Sequence, residues 1–168
     1  MPPGEGSADR SPEPPWLTPE QLQAWKKFTL MLARLTTALE QQLRCEAQLS
    51  YVEYYVLAGL SDQPGLAMRM SRLAVLANAE LSRLSHLIGR LEKRGFVRRE
   101  PDPADGRYTN AILTDAGYAH LAAAAPGHVA HVRELVIDAL GDEALAALQD
   151  ASERIMAQID GDEAFDDC

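Results

Sequence analysis

The stretch Leu73–Val97, LAVLANAELSRLSHLIGRLEKRGFV, decides how this 168-residue chain is to be read. Outward from Asn78 it divides into two short helical patterns, roughly Met70–Ala77 and about Glu80–Arg94. Asn is one of the few residues that tolerate left-handed backbone, which a tight corner between helices requires. Two helices meeting through a turn of three or four residues form a helix-turn-helix arrangement. In the second helix Leu84, Leu87, Ile88 and Leu91 recur at helical spacing and must face a core. Ser82, Arg83, His86, Arg90 and Lys93 cover the opposite side.

Downstream, Gly95 suits a left-handed helix stop, and the period then changes to two. Phe96–Arg99 and Tyr108–Leu113 read as two strands of a hairpin joined by the loop EPDPADG. Thr114 caps a further helix, TDAGYAHLAAAA, which Pro126-Gly127 should interrupt because proline removes a rung of the hydrogen-bond ladder. Helix resumes at His128 to Leu140, and Gly141-Asp142-Glu143 separates it from a last helix ending near Ile159. Upstream, Thr18 and Gln21 make a capping box flanked by Leu17 and Leu22. The long helix they open, to about Arg44, carries Leu22, Trp25, Phe28, Leu32, Leu35, Leu39 and Leu43 on one face. Its length exceeds what a small core needs from one helix, so it is expected to reach a partner subunit as well. Ser50 and Glu53 form a second capping box before a short helix that stops at the turn cluster SDQPG. The expected class is mainly α with a small β-hairpin wing.

Charge is segregated along this chain. The formal net charge is −9, yet Arg69–Arg107 holds nine Lys/Arg against five Asp/Glu, leaving seven against twenty elsewhere. A basic segment in an acidic protein points to a partner. The 46% hydrophobic content suffices for a core, and no apolar run is long enough to span a membrane. The first fifteen residues hold five of the ten prolines and no apolar stretch; they are read as a disordered leader rather than a signal peptide. The GDEAFDDC end is read as a loose acidic tail. Cys45 and Cys168 build neither a disulfide framework nor a metal spacing, and a reducing cytoplasm is the expected compartment.

A helix that reads a major groove needs short polar side chains and arginine in its N-terminal half, since those reach base edges without clashing. Ser82, Arg83, Ser85 and His86 meet that need. Arg98, Arg99 and Lys93, with Arg69, Arg72 and Arg90, are placed for phosphates, which position a protein without reading sequence. The hairpin loop is where a wing would meet the minor groove, with Arg107 near its tip. The bland alternative is the solvated face of an amphipathic helix. The preceding corner, the basic hairpin behind it and the acidity of the rest weigh against that.

These residues resemble the MarR family of bacterial winged-helix transcriptional regulators. The likeness lies in the Leu73-Ala74 opening before the corner, RLEKRG (Arg90–Gly95), the wing's Asp105-Gly106-Arg107, and Leu113-Thr114-Asp115-Ala116-Gly117 closing it. An Ala125-Pro126-Gly127-His128 stretch is similar to a branch whose members mostly have unknown effectors. The resemblance implies an obligate homodimer reading a pseudo-palindromic operator in double-stranded DNA. Residues 16–48 and 118–160 would form the dimerisation region around a lobe at 49–117. Trp25, Phe28, Leu32, Leu39, Val132 and Leu135 are the interface residues expected on that basis. It also implies that Arg107 enters the minor groove braced by Asp105, and that a small-molecule effector between the dimerisation helices and the lobe releases the protein, making it a repressor. Two positions depart from the pattern. Glu80 stands where Ser or Asp often caps the recognition helix, at a cost of about 0.5–1 kcal/mol. Arg72 replaces a common acidic residue.

The remaining features carry less. Cys45 admits a thiol-switch reading, but Arg44 is countered by Glu46, which favours a small apolar filler. His128 and His131 share a face that could ligate zinc, with only distant His120 as a third ligand, so packing or hydrogen bonding is the stronger reading. Trp16 and Trp25 are read as core or dimer interface rather than a ligand platform. A winged-helix module that binds protein instead of DNA is the alternative function, which Glu80 and the overall acidity favour and the Asp105/Arg107 wing opposes. No nucleophile–base pair, phosphate loop or metal constellation stands out, so no enzymatic activity, cofactor or metal is expected.

Overall fold

The structure, a computed structural model, describes residues 15–161; the leader and most of the acidic tail lie outside the described residues. Internal packing divides the chain into two units, residues 1–34 and 35–168. Helix α1 spans Pro19–Ala47. Its start is the capping box expected from sequence: Gln21 N donates to Thr18 Oγ1 (3.3 Å) and Thr18 N to Gln21 Oε1 (2.9 Å). In the first unit the apolar stripe is uncovered, with Leu22 40%, Trp25 55% and Leu32 45% exposed. Trp16 is 82% exposed and so not a core residue. In the second unit the same stripe goes inside: Leu39, Leu43 and Ala47 are buried. Leu39, expected at a dimer interface, is thus covered by its own chain.

Helix α2 (Tyr51–Ser61) opens on the Ser50/Glu53 box, complete in both directions. Strand β1 (Ala67–Arg69) follows, then α3 (Met70–Leu76) and α4 (Leu81–Lys93). Asn78, at φ 45°, makes the left-handed corner between them. Glu80 occupies the N-cap of α4 without a side-chain cap bond. Strands β2 (Val97–Pro101) and β3 (Thr109–Leu113) form the hairpin. The sequence reading missed β1, which pairs antiparallel with β3 (Ala67 opposite Ile112, Arg69 opposite Asn110) and makes a three-stranded sheet of order β1-β3-β2. A three-residue strand is too short to show an alternating pattern. Leu84, Leu87, Ile88 and Leu91 enter the core as expected, meeting Val56, Leu57 and Leu60 from α2, Leu73 from α3, and Val97 and Leu113 from the sheet.

Thr114 caps α5 (Asp115–Val132), accepting from Gly117 N at 3.0 Å. Contrary to expectation, Pro126-Gly127 does not interrupt this helix. A Cβ at Gly127 would sit 2.5 Å from Glu46 Oε2, the mobile end of a side chain on α1. A π-helical turn at Arg133–Ile137 leads into α6 (Asp138–Gly161), and the true interruption is Gly141, at φ 69°. No residue of α6 is buried; Ile155, Met156 and Ile159 stand about half exposed. Among the described residues no helix is long and apolar enough to cross a membrane.

Candidate nucleic-acid interface

The outer face of α4 and the hairpin behind it carry the basic residues singled out from sequence, but in two different states. Ser82, Arg83, His86 and Lys93 are exposed, as is Arg72 on α3. The side chains of Arg72, Arg83, His86 and Lys93 have no hydrogen-bond or ion-pair partner among the described residues. An open recess of about 460 Å³ runs along α4, lined by Ser85, His86, Gly89, Arg90, Lys93 and Arg99.

Other arginines are committed within the fold. Arg99 reaches back from β2 to α4. Its Nη2 donates to Ser85 O (2.7 Å) and Nη1 to Ser85 Oγ (3.4 Å), with Glu92 Oε2 3.2 Å from its Nε. Gly89 leaves the space for this, since a Cβ there would come to 3.3 Å from Nη2. Arg99 is therefore a clip between sheet and helix, not the free phosphate contact expected, and Ser85, half-buried, is engaged by it. Arg90 Nε donates to Glu53 Oε1 (3.3 Å), the buried carboxylate that also completes the cap of α2. Arg98 pairs with Glu100 on the exposed edge of β2. Arg69 donates through Nε to Asp102 Oδ2 at 2.6 Å and stacks over the Tyr108 ring, 4.6 Å from its centroid. The Arg99–Ser85, Arg69–Asp102 and Arg90–Glu53 pairs join residues 14, 33 and 37 positions apart, separations at which local spacing carries no signal.

At the hairpin tip, Asp105 grips Arg107: Nη2 reaches Oδ2 at 2.7 Å, Nε lies 3.0 and 3.1 Å from the two oxygens, and Arg107 N donates to Oδ1 at 3.1 Å. The guanidinium holds the Asp105 carboxyl below the usual carboxylate range. The Arg107 side chain is nonetheless 85% exposed, a cation aimed outward on a fixed stem. Asp102, which sequence reasoning passed over, is buried at the base of this loop. Its pKa is lowered by the Arg69 hydrogen bond and then by that from Ala104 N (2.8 Å).

The histidines do not converge. His120 Nε2 lies 2.8 Å from Ala47 O, His128 Nδ1 3.2 Å from Gln42 Oε1, and His131 Nδ1 3.6 Å from Glu134. Among the described residues no group of His, Cys, Asp and Glu could hold a metal ion. His128 is buried against Tyr54 (ring centroids 4.4 Å apart), and burial, then the charge of His131, depresses its pKa. Burial likewise raises the Tyr54 and Tyr51 phenols. Cys45 is exposed, contrary to the filler reading.

The end of α1 is gripped from two sides. Phe96 lies between the Arg94 guanidinium (4.6 Å) and the His120 ring (4.5 Å, stacked). The two outer members bind consecutive carbonyls: His120 holds Ala47 O, and Arg94 Nη1 donates to Gln48 O at 3.0 Å. Gln48 itself is left-handed, at φ 54°.

A helix-turn-helix backed by a three-stranded sheet, whose hairpin projects a braced arginine beside the exposed face of the second helix, defines a winged-helix protein. The profile of the MarR family matches residues 47–107. Over 107 residues the chain is 32% identical to the transcriptional regulator HosA of Escherichia coli, covering 64% of this chain and 71% of that one. Among solved structures, Sco3205 of Streptomyces coelicolor, a MarR family transcriptional regulator in complex with DNA, superposes with a TM-score of 0.84 at 40% identity. That match covers 88% of this chain and 92% of Sco3205. AbsC from the same organism, also a MarR family transcriptional regulator, gives 0.84 at 38% identity over 88% and 99%. The chain belongs to the MarR family of transcriptional regulators.

Proposed function

We propose that the protein is a cytoplasmic, sequence-specific DNA-binding repressor that acts as a homodimer and is released by a small-molecule effector. The observation that carries this reading is the run of unpartnered cations on α3 and α4 beside the outward, Asp105-braced Arg107, in a chain whose net charge is −9. Ser82, Arg83 and His86 face base edges in the major groove, Arg72 and Lys93 meet phosphates, and Arg107 enters the minor groove. Ser85, Arg90, Arg98 and Arg99 shape that face through the pairs they make. Residues 16–48 and 118–160 supply the dimerisation region, and the exposed Trp25, Leu32 and Leu135, with the half-buried Phe28 and Val132, are the surface a second copy would cover. Two lobes then sit on successive major grooves, about 34 Å apart, and effector binding favours a spacing that no longer fits. Sco3205, similar over 88% of this chain, is a regulator crystallised with DNA, and NicR of Pseudomonas putida, 31% identical over 54% of this chain and 56% of its own, is named as a repressor. No catalytic role is assigned.

The test is selection of bound fragments from a random DNA pool by the purified full-length protein. Enrichment of a two-fold-related motif supports the reading. A pool that stays random refutes it and favours a winged-helix module that binds protein instead.

A further inference from the structure

We propose that Arg69 and Asp102 are positioning residues for the wing: they pin the loop Asp102–Tyr108 to the start of α3 and so set where Arg107 projects. The inference rests on reading the wing as a DNA contact. It begins with an oddity. Asp102 is only 8% exposed although it sits in a surface loop, and a buried carboxylate persists only when its charge and lone pairs are matched. Here they are. Oδ2 accepts from Arg69 Nε at 2.6 Å, and Oδ1 accepts from Ala104 N at 2.8 Å and Asp105 N at 3.4 Å.

Asp102 N in turn donates to Tyr108 O (2.9 Å), and Tyr108 N to Asp105 O (3.0 Å), so the loop is closed on itself around that carboxylate. Arg69 anchors the closed loop from outside. It is the N-cap residue of α3 and the last residue of β1, in register with Asn110 on β3, and its guanidinium lies 4.6 Å over the Tyr108 ring. A chain of contacts thus runs from the first helix of the helix-turn-helix through Arg69, Asp102 and Asp105 to Arg107. An arginine held in place before binding loses less side-chain freedom on contact with a duplex than one on a wandering loop. Arg69, expected from sequence to touch the DNA backbone, instead spends its charge on the loop.

The two roles differ in sign at Asp102. On a surface that meets phosphates an acidic residue repels, so if charge alone mattered Asp102→Asn would bind DNA more tightly. Positioning requires the opposite. The measurements use the full-length protein and a duplex enriched by the wild type from a random pool. They are Kd against salt for Asp102→Asn, Arg69→Lys, Arg69→Gln, Arg107→Ala and the Arg69→Gln/Arg107→Ala double variant, with thermal melts as the folding control. The expected result is about tenfold weaker binding for Asp102→Asn, the scale of losing a charged hydrogen bond, with the wild-type salt slope kept. Arg69→Lys keeps the charge but neither the Nε donor nor the planar stack, and should lose as much as Arg69→Gln. The double variant should bind no worse than Arg107→Ala alone. Tighter or unchanged binding by Asp102→Asn overturns the proposal. Full retention by Arg69→Lys, or additive losses in the double variant, would make Arg69 a direct phosphate contact and overturn it too. If Arg107→Ala itself leaves affinity and slope untouched, the wing reading fails and takes the bracing role with it. A loss at Arg107 with additivity condemns the bracing role alone.

Discussion

Replacing Arg107 with alanine removes one outward cation per protomer, two in a homodimer. Counterion release makes each neutralised phosphate worth about 0.9 units in the slope of log K against log salt, so the variant's slope should be shallower by about 1.8. Between about 50 and about 200 mM salt that difference brings the two proteins' affinities together by about twelvefold, the wild type losing more. A second consequence follows from the geometry at the tip. In the variant Asp105 loses its bidentate partner while still facing the duplex. Part of the loss in Arg107→Ala is therefore repulsion, and Asp105→Asn/Arg107→Ala should recover some affinity without recovering the slope. Fluorescence anisotropy on a labelled operator duplex, titrated at five or so salt concentrations, measures both quantities. An unchanged slope in Arg107→Ala would remove this residue from the cations that meet DNA, and a double variant no tighter than the single would refute the repulsion.

Three other outcomes are open to direct measurement. Leu32→Glu should give a folded monomer in sedimentation, because Leu32 is 45% exposed, whereas Leu39→Glu should unfold the chain, because Leu39 is 8% exposed; a stable dimeric Leu32→Glu protein would misplace the interface. Gly117→Ala should destabilise by about 1–3 kcal/mol in urea titration, the scale of overpacking. Its Cβ would lie 2.1 Å from Phe96 O, so an unshifted midpoint would contradict the packing of α5 on the hairpin. The depressed pKa of His128 means that the unfolded chain binds the extra proton first. Its contribution to stability is complete above the ordinary imidazole value of 6.5 and is lost as pH falls below it. His128→Gln should flatten the stability profile on that acid side; a profile parallel to the wild type would dismiss the group.

What could be read from the sequence was what is local. The Thr18/Gln21 and Ser50/Glu53 boxes join residues three positions apart, Asn78 and Gly95 are single-residue signals for left-handed backbone, and the α4 stripe needs only helical period; all are present as expected. Pro126 misled because a proline removes one rung of the ladder without ending it, and α5 runs on through Val132. Strand β1 is specified by its neighbour β3 rather than by its own three residues. The arginines illustrate the same division. Their number announced a basic face, but which are spent inside the fold depends on Glu53, Glu92 and Asp102 arriving from elsewhere in the chain.

The stack of Arg94, Phe96 and His120 has a mechanical meaning. A helix end leaves carbonyls without partners, and here two successive ones are claimed by side chains anchored at the end of α4 and on α5. The terminus of α1 is thereby yoked to the element that carries Arg83 and His86, and tilting it drags that element along or snaps a bond.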